Sequence, residues 1–196
     1  MKLGDFDLHV VSDGNFRLDG GAMFGIIPKM LWEKTDPADE RNRINLGLNC
    51  LLIRTPTENI LVDTGIGENF DEKFAFLYAI DKSQTDLLRS LSALGVTREE
   101  VTRIVLTHLH FDHAGGSCFL DGDGTLKSTF PNATYYINAK ELLQAQQPDA
   151  RSRGSYLPYA WELIQQRGQV VLTCGNEEIV PGVSVMLTPG HTENHQ

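Results

Sequence analysis

Three imidazoles and a carboxylate fall within six consecutive positions in the stretch Thr107-His108-Leu109-His110-Phe111-Asp112-His113-Ala114-Gly115-Gly116, which holds half of the chain's six histidines. Neutral imidazole nitrogens together with carboxylate oxygen suit zinc, and the same ligand types also accept iron, manganese or cobalt. A surface loop merely rich in histidine is the plainer reading, but the strand pattern before the cluster and the glycines after it argue for a metal site. The preceding Arg103-Ile104-Val105-Leu106-Thr107 has the β-branched content of a buried strand, so the ligands leave its carboxyl end. Alternation along an extended backbone sends His108 and His110 the same way, and Asp112 and His113 lie beyond, where the chain can curl back. Two imidazoles can then grip one ion while Asp112 and His113 grip a second. Gly115 and Gly116 permit the tight backbone path that such a wrap requires.

Two further motifs flank the cluster: Ile60-Leu61-Val62-Asp63-Thr64-Gly65 upstream and Thr188-Pro189-Gly190-His191-Thr192 downstream. Taken in this order, the three resemble the metallo-β-lactamase superfamily of metal-dependent hydrolases over nearly the whole chain. The resemblance implies an α/β fold, an αβ/βα sandwich, in which His108, His110 and His191 hold the first metal and Asp112 and His113 contribute to the second. By spacing alone His191 is as readily a loop histidine as a ligand; the resemblance favours the ligand. It also places Asp63 behind the site, accepting a hydrogen bond from a ligand histidine and fixing its tautomer. His195 reads as a support for the site rather than a ligand.

The implied cofactor is zinc, two ions in the complete protein, with Asp112 taking part in catalysis. Three histidines around one zinc with an open position lower the pKa of a bound water towards ~7. That chemistry points to hydrolysis of a small ester, lactone or related substrate. The iron-dependent oxidoreductase branch of the family typically carries glutamate at the second histidine of the motif, so His110 favours the hydrolase. A non-catalytic metal-binding or interaction module is the contrasting reading, and turnover of aryl esters and lactones separates the two. The family draws a bridging aspartate and a last histidine from positions beyond Gln196. The expectation is therefore one truncated domain, 1–196, with much of the second half missing and with a sheet edge and apolar faces uncovered. The sequence then reads as part of a longer protein; a remnant, or a site completed by another chain in an oligomer, are the alternatives.

With 196 residues, 41% hydrophobic and 22% charged, the chain suffices for one domain with a core. A net charge of -9 and the lack of a Lys/Arg run argue against a nucleic-acid surface. No apolar stretch approaches the ~20 residues needed to span a bilayer, and no signal-type segment opens the chain. Cys50, Cys118 and Cys174 form no Cys-x-x-Cys pair, which suits a reducing cytoplasm.

The elements that must position the cluster follow from patterning. Phe6 to Val11 reads as a first strand ended by a turn at Ser12-Asp13-Gly14-Asn15, with His9 a strand histidine. Leu18 to Pro28 is too rich in glycine for helix or strand and is expected as an ordered loop, its Met23 and Phe24 offering an apolar cleft wall. Leu46–Ile53 and Ile60–Val62 pattern as a hairpin. Ser83-Gln84-Thr85-Asp86 is expected to cap a helix carrying Leu87, Leu88, Leu91 and Leu94, and Thr97 to Glu100 repeats the cap. Further along, Thr134–Ile137 reads as a strand and Asn138 to Glu141 as a helix start. A helical stretch begins within Ser155–Trp161, where the hydroxyl of Tyr156 or Tyr159 could reach the metals as an electrophile. Val170–Leu172 and Val183–Leu187 are the last strands, joined through Pro181-Gly182.

Overall fold

The structure, a computed structural model, describes residues 1–196. Eleven strands follow in chain order: β1 (Lys2–Leu3), β2 (Phe6–Asp19), β3 (Arg43–Arg54), β4 (Asn59–Val62), β5 (Val101–Val105), β6 (Cys118–Leu120), β7 (Leu126–Ser128), β8 (Thr134–Asn138), β9 (Val170–Thr173), β10 (Glu177–Val180) and β11 (Val183–Val185). The α-helices are α1 (Gly20–Phe24), α2 (Lys29–Trp32), α3 (Glu72–Tyr78), α4 (Leu87–Ala93), α5 (Phe111–Ala114), α6 (Ala139–Gln146) and α7 (Tyr159–Gln166).

Seven strands form one sheet in the order β1-β2-β3-β4-β5-β8-β9. Pairing is antiparallel from β1 to β4 and parallel from β4 through β9, so the carboxyl ends of β4, β5, β8 and β9 lie side by side. In sheets of this kind, chemistry gathers beyond the carboxyl ends of the parallel strands. One face packs against α4, α6 and α7 in a core that includes Leu52, Leu61, Leu91, Ile104, Leu142, Trp161 and Ile164. The other face, with Ile53, Ile60, Val105 and Tyr136, is partly covered by the β10-β11 hairpin through Ile179, Val183 and Val185. Helices on one side and a hairpin on the other make this the expected α/β layering. On the outer strand β9, Val171 and Leu172 are exposed, as are Met186 and Leu187 after β11.

Several local expectations are corrected. Ser12 to Asn15 does not end the first strand: β2 runs on to Asp19, and the register against β3 merely shifts between Ser12 and Asn15. A bulge absorbs the extra residues because β3 is long enough to continue the ladder on both sides. The glycine-rich segment contains a short helix, α1, capped by the Asp19 carboxylate on Ala22 N at 2.8 Å. Gly20 is required there, since a Cβ would lie 2.5 Å from the Trp32 ring. The leucine helix starts at Leu87 with Asp86 as its cap, not at Ser83, because Asp86 accepts from Arg89 N at 2.8 Å while Ser83 N turns to Asp81. At Thr97 the Glu100 carboxylate accepts from the threonine N–H and hydroxyl, closing a turn before β5 without a helix. Val183–Leu187 is shorter than expected and pairs with β10, a strand that its glutamates concealed.

Candidate metal centre

Strand β4 ends at Val62, and Asp63 follows in a left-handed conformation with φ 61°. Such a backbone is uncommon outside glycine and must be held by its surroundings. Asp63 N donates to Val105 O at 2.9 Å. Its carboxylate accepts from Thr107 N at 2.8 Å, from the Thr107 hydroxyl, and from His113 Nδ1 at 2.8 Å. One aspartate thus ties the end of β4 to both ends of the histidine loop.

The loop itself turns sharply through α5, and the chain after it presses on the residues after Asp63. Gly116 N donates to Gly65 O at 3.1 Å, and a Cβ on Gly116 would sit 2.1 Å from Thr64 O. Gly116 is therefore needed for close approach of two backbones, whereas the sequence suggested only freedom to turn.

His108, 1% exposed, stands at the centre of an imidazole cluster. Its ring centroid lies 4.6 Å from that of His110, 4.7 Å from His191, 4.2 Å from His113 and 5.1 Å from His195. One nitrogen from each of His108, His110 and His191 falls within 4.8 Å of the others, an arrangement that could hold a metal ion. His108 Nε2 is buried and has no hydrogen-bond partner, while its Nδ1 is 3.0 Å from the Thr107 hydroxyl. A buried polar atom without a partner is rare and calls for a reason; an ion drawn in by three imidazoles supplies one, so the donor set fits a metal of the zinc type.

Protonation favours the same end. Burial, with the neighbouring His113, His110 and His191 charges, drives His108 far below its ordinary value, and burial with His191 lowers His110 to about 4. Both rings are neutral near pH 7 and able to ligate. His113 behaves differently: burial opposes its charge, but the Asp63 hydrogen bond and the charges of Asp63 and Asp112 outweigh this and raise it. Its Nε2 lies 3.4 Å from Asp112 Oδ2, and burial raises the Asp112 carboxyl despite that neighbour.

Of the other expected residues, His195 joins the cluster at its edge, its Nδ1 2.7 Å from the Thr188 hydroxyl. Tyr156 packs its ring 5.0 Å from His110 but gives its hydroxyl to Glu141, and the Tyr159 hydroxyl is buried in the core without a partner. Neither tyrosine turns its hydroxyl to the cluster, because each ring is drawn into the core. Phe24 stacks on Trp32 at 5.0 Å, and Met23 beside it is exposed. Phe111, between His110 and Asp112 in sequence, is buried in a second apolar cluster, where Phe74 and Tyr78 pack on it at ring distances of 5.2 and 4.8 Å.

Two buried carboxylates went unnoticed in the sequence. Asp13 accepts from Ile66 N, Gly67 N, Leu87 N and Lys82 Nζ, and so braces the loop behind Asp63. Glu141 accepts from Leu109 N, the Tyr156 hydroxyl and the Thr192 hydroxyl. Asn138 followed three residues later by Glu141, directly after a strand, was the available signal, but it reads as an ordinary helix cap.

The sequence profile of the metallo-beta-lactamase superfamily matches residues 45–195. An N-acyl homoserine lactonase of Bacillus cereus is 31% identical over 165 residues, which are 79% of this chain and 58% of that protein. A probable metal-dependent hydrolase from Staphylococcus aureus has a solved structure that matches with a TM-score of 0.89 and 33% identity, covering 100% of this chain and 68% of that one. The structure of AidC, a dizinc quorum-quenching lactonase, matches with a TM-score of 0.73 at 24% identity over 100% of this chain and 67% of that one, a likeness of fold. The chain spans 58% of the length of the curated lactonases it matches.

Proposed function

The chain belongs to the metallo-beta-lactamase superfamily, and from that premise we propose that it serves a zinc-dependent hydrolase acting on a lactone or small ester that carries an apolar portion. The observation that carries the reading is the convergence of His108, His110 and His191 around a buried, unpartnered His108 Nε2. In this reading those three histidines hold the first ion, and Asp112 and His113 contribute to a second. Asp63 keeps the His113 proton on Nδ1 and so leaves Nε2 with its lone pair free. When bound, the metal supplies Lewis acidity, which activates water and polarises the carbonyl under attack.

The chain's own residues do the rest. The half-buried Phe74 and Tyr78, packed on the buried Phe111 between His110 and Asp112, are the apolar surface on which an acyl portion would lie. Asp112, its carboxyl raised by burial, is suited to take the proton of the attacking water and deliver it to the leaving oxygen. The matched Bacillus lactonases support a lactone as substrate. No helix is long and apolar enough to cross a membrane, and the three cysteines are free.

The test compares zinc-loaded and metal-stripped chain on N-acyl homoserine lactones of different tail length and on aryl esters. Hydrolysis that needs zinc and falls by more than about a hundredfold in His108→Ala is expected. A chain that holds zinc but turns over neither substrate class would instead be a metal-binding module.

A further inference from the structure

Glu141 stands in the first turn of α6, where β8 ends, and is 1% exposed. A carboxylate so deeply buried must be satisfied on both oxygens. Oε1 accepts from Leu109 N at 3.1 Å and from the Tyr156 hydroxyl at 3.3 Å; Oε2 accepts from the Thr192 hydroxyl at 2.7 Å. These donors come from three segments far apart in sequence, and each adjoins a histidine of the cluster. Leu109 lies between His108 and His110, Tyr156 bridges its backbone to His110 and packs on that ring, and Thr192 follows His191.

We infer that Glu141 is the positioning residue that brings the His191 segment to the His108–His110 pair and so sets the spacing of the three imidazoles. The inference rests on the metal reading above. Two facts favour a positioning role over a merely structural one. Among the side chains bonded to Glu141, Thr192 is the one adjoining His191, and Thr192 is buried although His191 itself is exposed. The other backbone hydrogen bonds of this segment either close on itself, as Thr188 N to His195 O and Gly190 N to Thr192 O, or tie down its last residue, as Gln196 N to Thr107 O. The side-chain ties near His191 are its own contact with His110 at 3.1 Å, the half-buried Asn194 Nδ2 to Gln144 Oε1 at 3.3 Å and Thr192 to Glu141, and of these the last alone is buried and adjoins His191.

Cobalt(II) added alone to the metal-free chain tests this, because its visible absorption reports both affinity and ligand geometry. Thr192→Val removes the hydroxyl at constant shape and is expected to weaken cobalt binding about tenfold, with an altered spectrum; the metal-free chain should melt somewhat lower, because Glu141 Oε2 loses its donor, so binding is compared at a temperature where both chains are folded. Thr192→Ser should restore both readouts. Glu141→Leu should weaken binding by about a hundredfold if it folds, and Glu141→Gln should fall between it and the wild type. In a His191→Ala background, Thr192→Val should have no further effect, since the histidine it serves is gone. A folded Thr192→Val that binds cobalt with wild-type affinity and spectrum would overturn the inference, as would an equal loss with and without His191. Failure of the wild-type chain itself to take up cobalt would instead bring down the metal reading, and the inference with it.

Discussion

The loop that follows β5 and the segment Thr188–Gln196 carry imidazoles to the same point, but they are held there by different means. Residues 108–116 are locked by backbone. Thr64 N donates to His113 O at 2.7 Å, Gly116 N to Gly65 O at 3.1 Å, and the two chains approach too closely for any side chain at Gly116. The segment 188–196 contains no strand of the sheet and leans on side chains: Thr192 on Glu141, and Gln196 on Leu106 O, Tyr136 O and the Thr173 hydroxyl. His108 is buried while His191 is exposed. The contrast teaches that damage to the first region should reach folding, whereas damage to the second should reach the spacing of the imidazoles and leave the fold standing.

The largest effect should come from Gly116→Ala. Its Cβ would meet a backbone oxygen that cannot swing aside, so denaturant unfolding should show a loss of about 3 kcal/mol or more. A loss under about 1 kcal/mol would mean that the first region yields as readily as the second.

An intermediate effect should appear in the pH dependence of the metal-free chain. Burial, with His191, holds folded His110 at about 4 against an ordinary 6.5, and burial lowers His108 in the same sense. A depressed value means that the unfolded chain binds the proton first. This stability is fully present above pH 6.5 and is lost as pH falls from there towards 4. The raised His113 has the opposite sign: its contribution is present below 6.5 and is lost as pH rises through its folded value. The raised Asp112 also gains on acidification, so the His110 share is read by difference. His110→Gln should flatten the fall in melting temperature between pH 6.5 and 4; parallel profiles for variant and wild type would remove the basis for treating His110 as a buried neutral ligand.

The smallest effect is expected in the second region itself. His195→Ala loses the side-chain contact to Thr188 and a ring at the margin of the cluster, 5.1 Å from His108, while the backbone bond between Thr188 and residue 195 stays. Thermal melting should register a change of about 0.5 kcal/mol. A cost comparable to that of Gly116→Ala would show that the segment is built into the fold as firmly as the loop.

Local features of the molecule were legible without coordinates. The strand before the histidines, the hairpin of β3 and β4, and the start of α6 are written in alternation, turn residues and caps, all of which act over a few positions. The histidine cluster is likewise local, since chelating side chains within six positions can hardly avoid one another. Boundaries failed where a neighbour far along the chain decided the matter. Asp13 looks like a turn residue, yet it accepts Leu87 N and so shares in setting where α4 begins. Gly20 looks like a helix breaker, yet it is the residue on which Trp32 lies.

The order of residue types makes certain atoms available: imidazoles and a carboxylate after one strand, an aspartate after another, and a later histidine in a proline-glycine turn. Which of them meet depends on the packing of the whole sheet. The parallel order β4-β5-β8 sets Asp63, the histidine loop and Glu141 side by side beyond the carboxyl ends of these strands. A buried carboxylate between them then has to find donors, and it finds them on both sides of the cluster. Ligand type is a property of single residues, but the spacing of ligands depends on which strands lie adjacent, and that is settled by burial over the whole sheet.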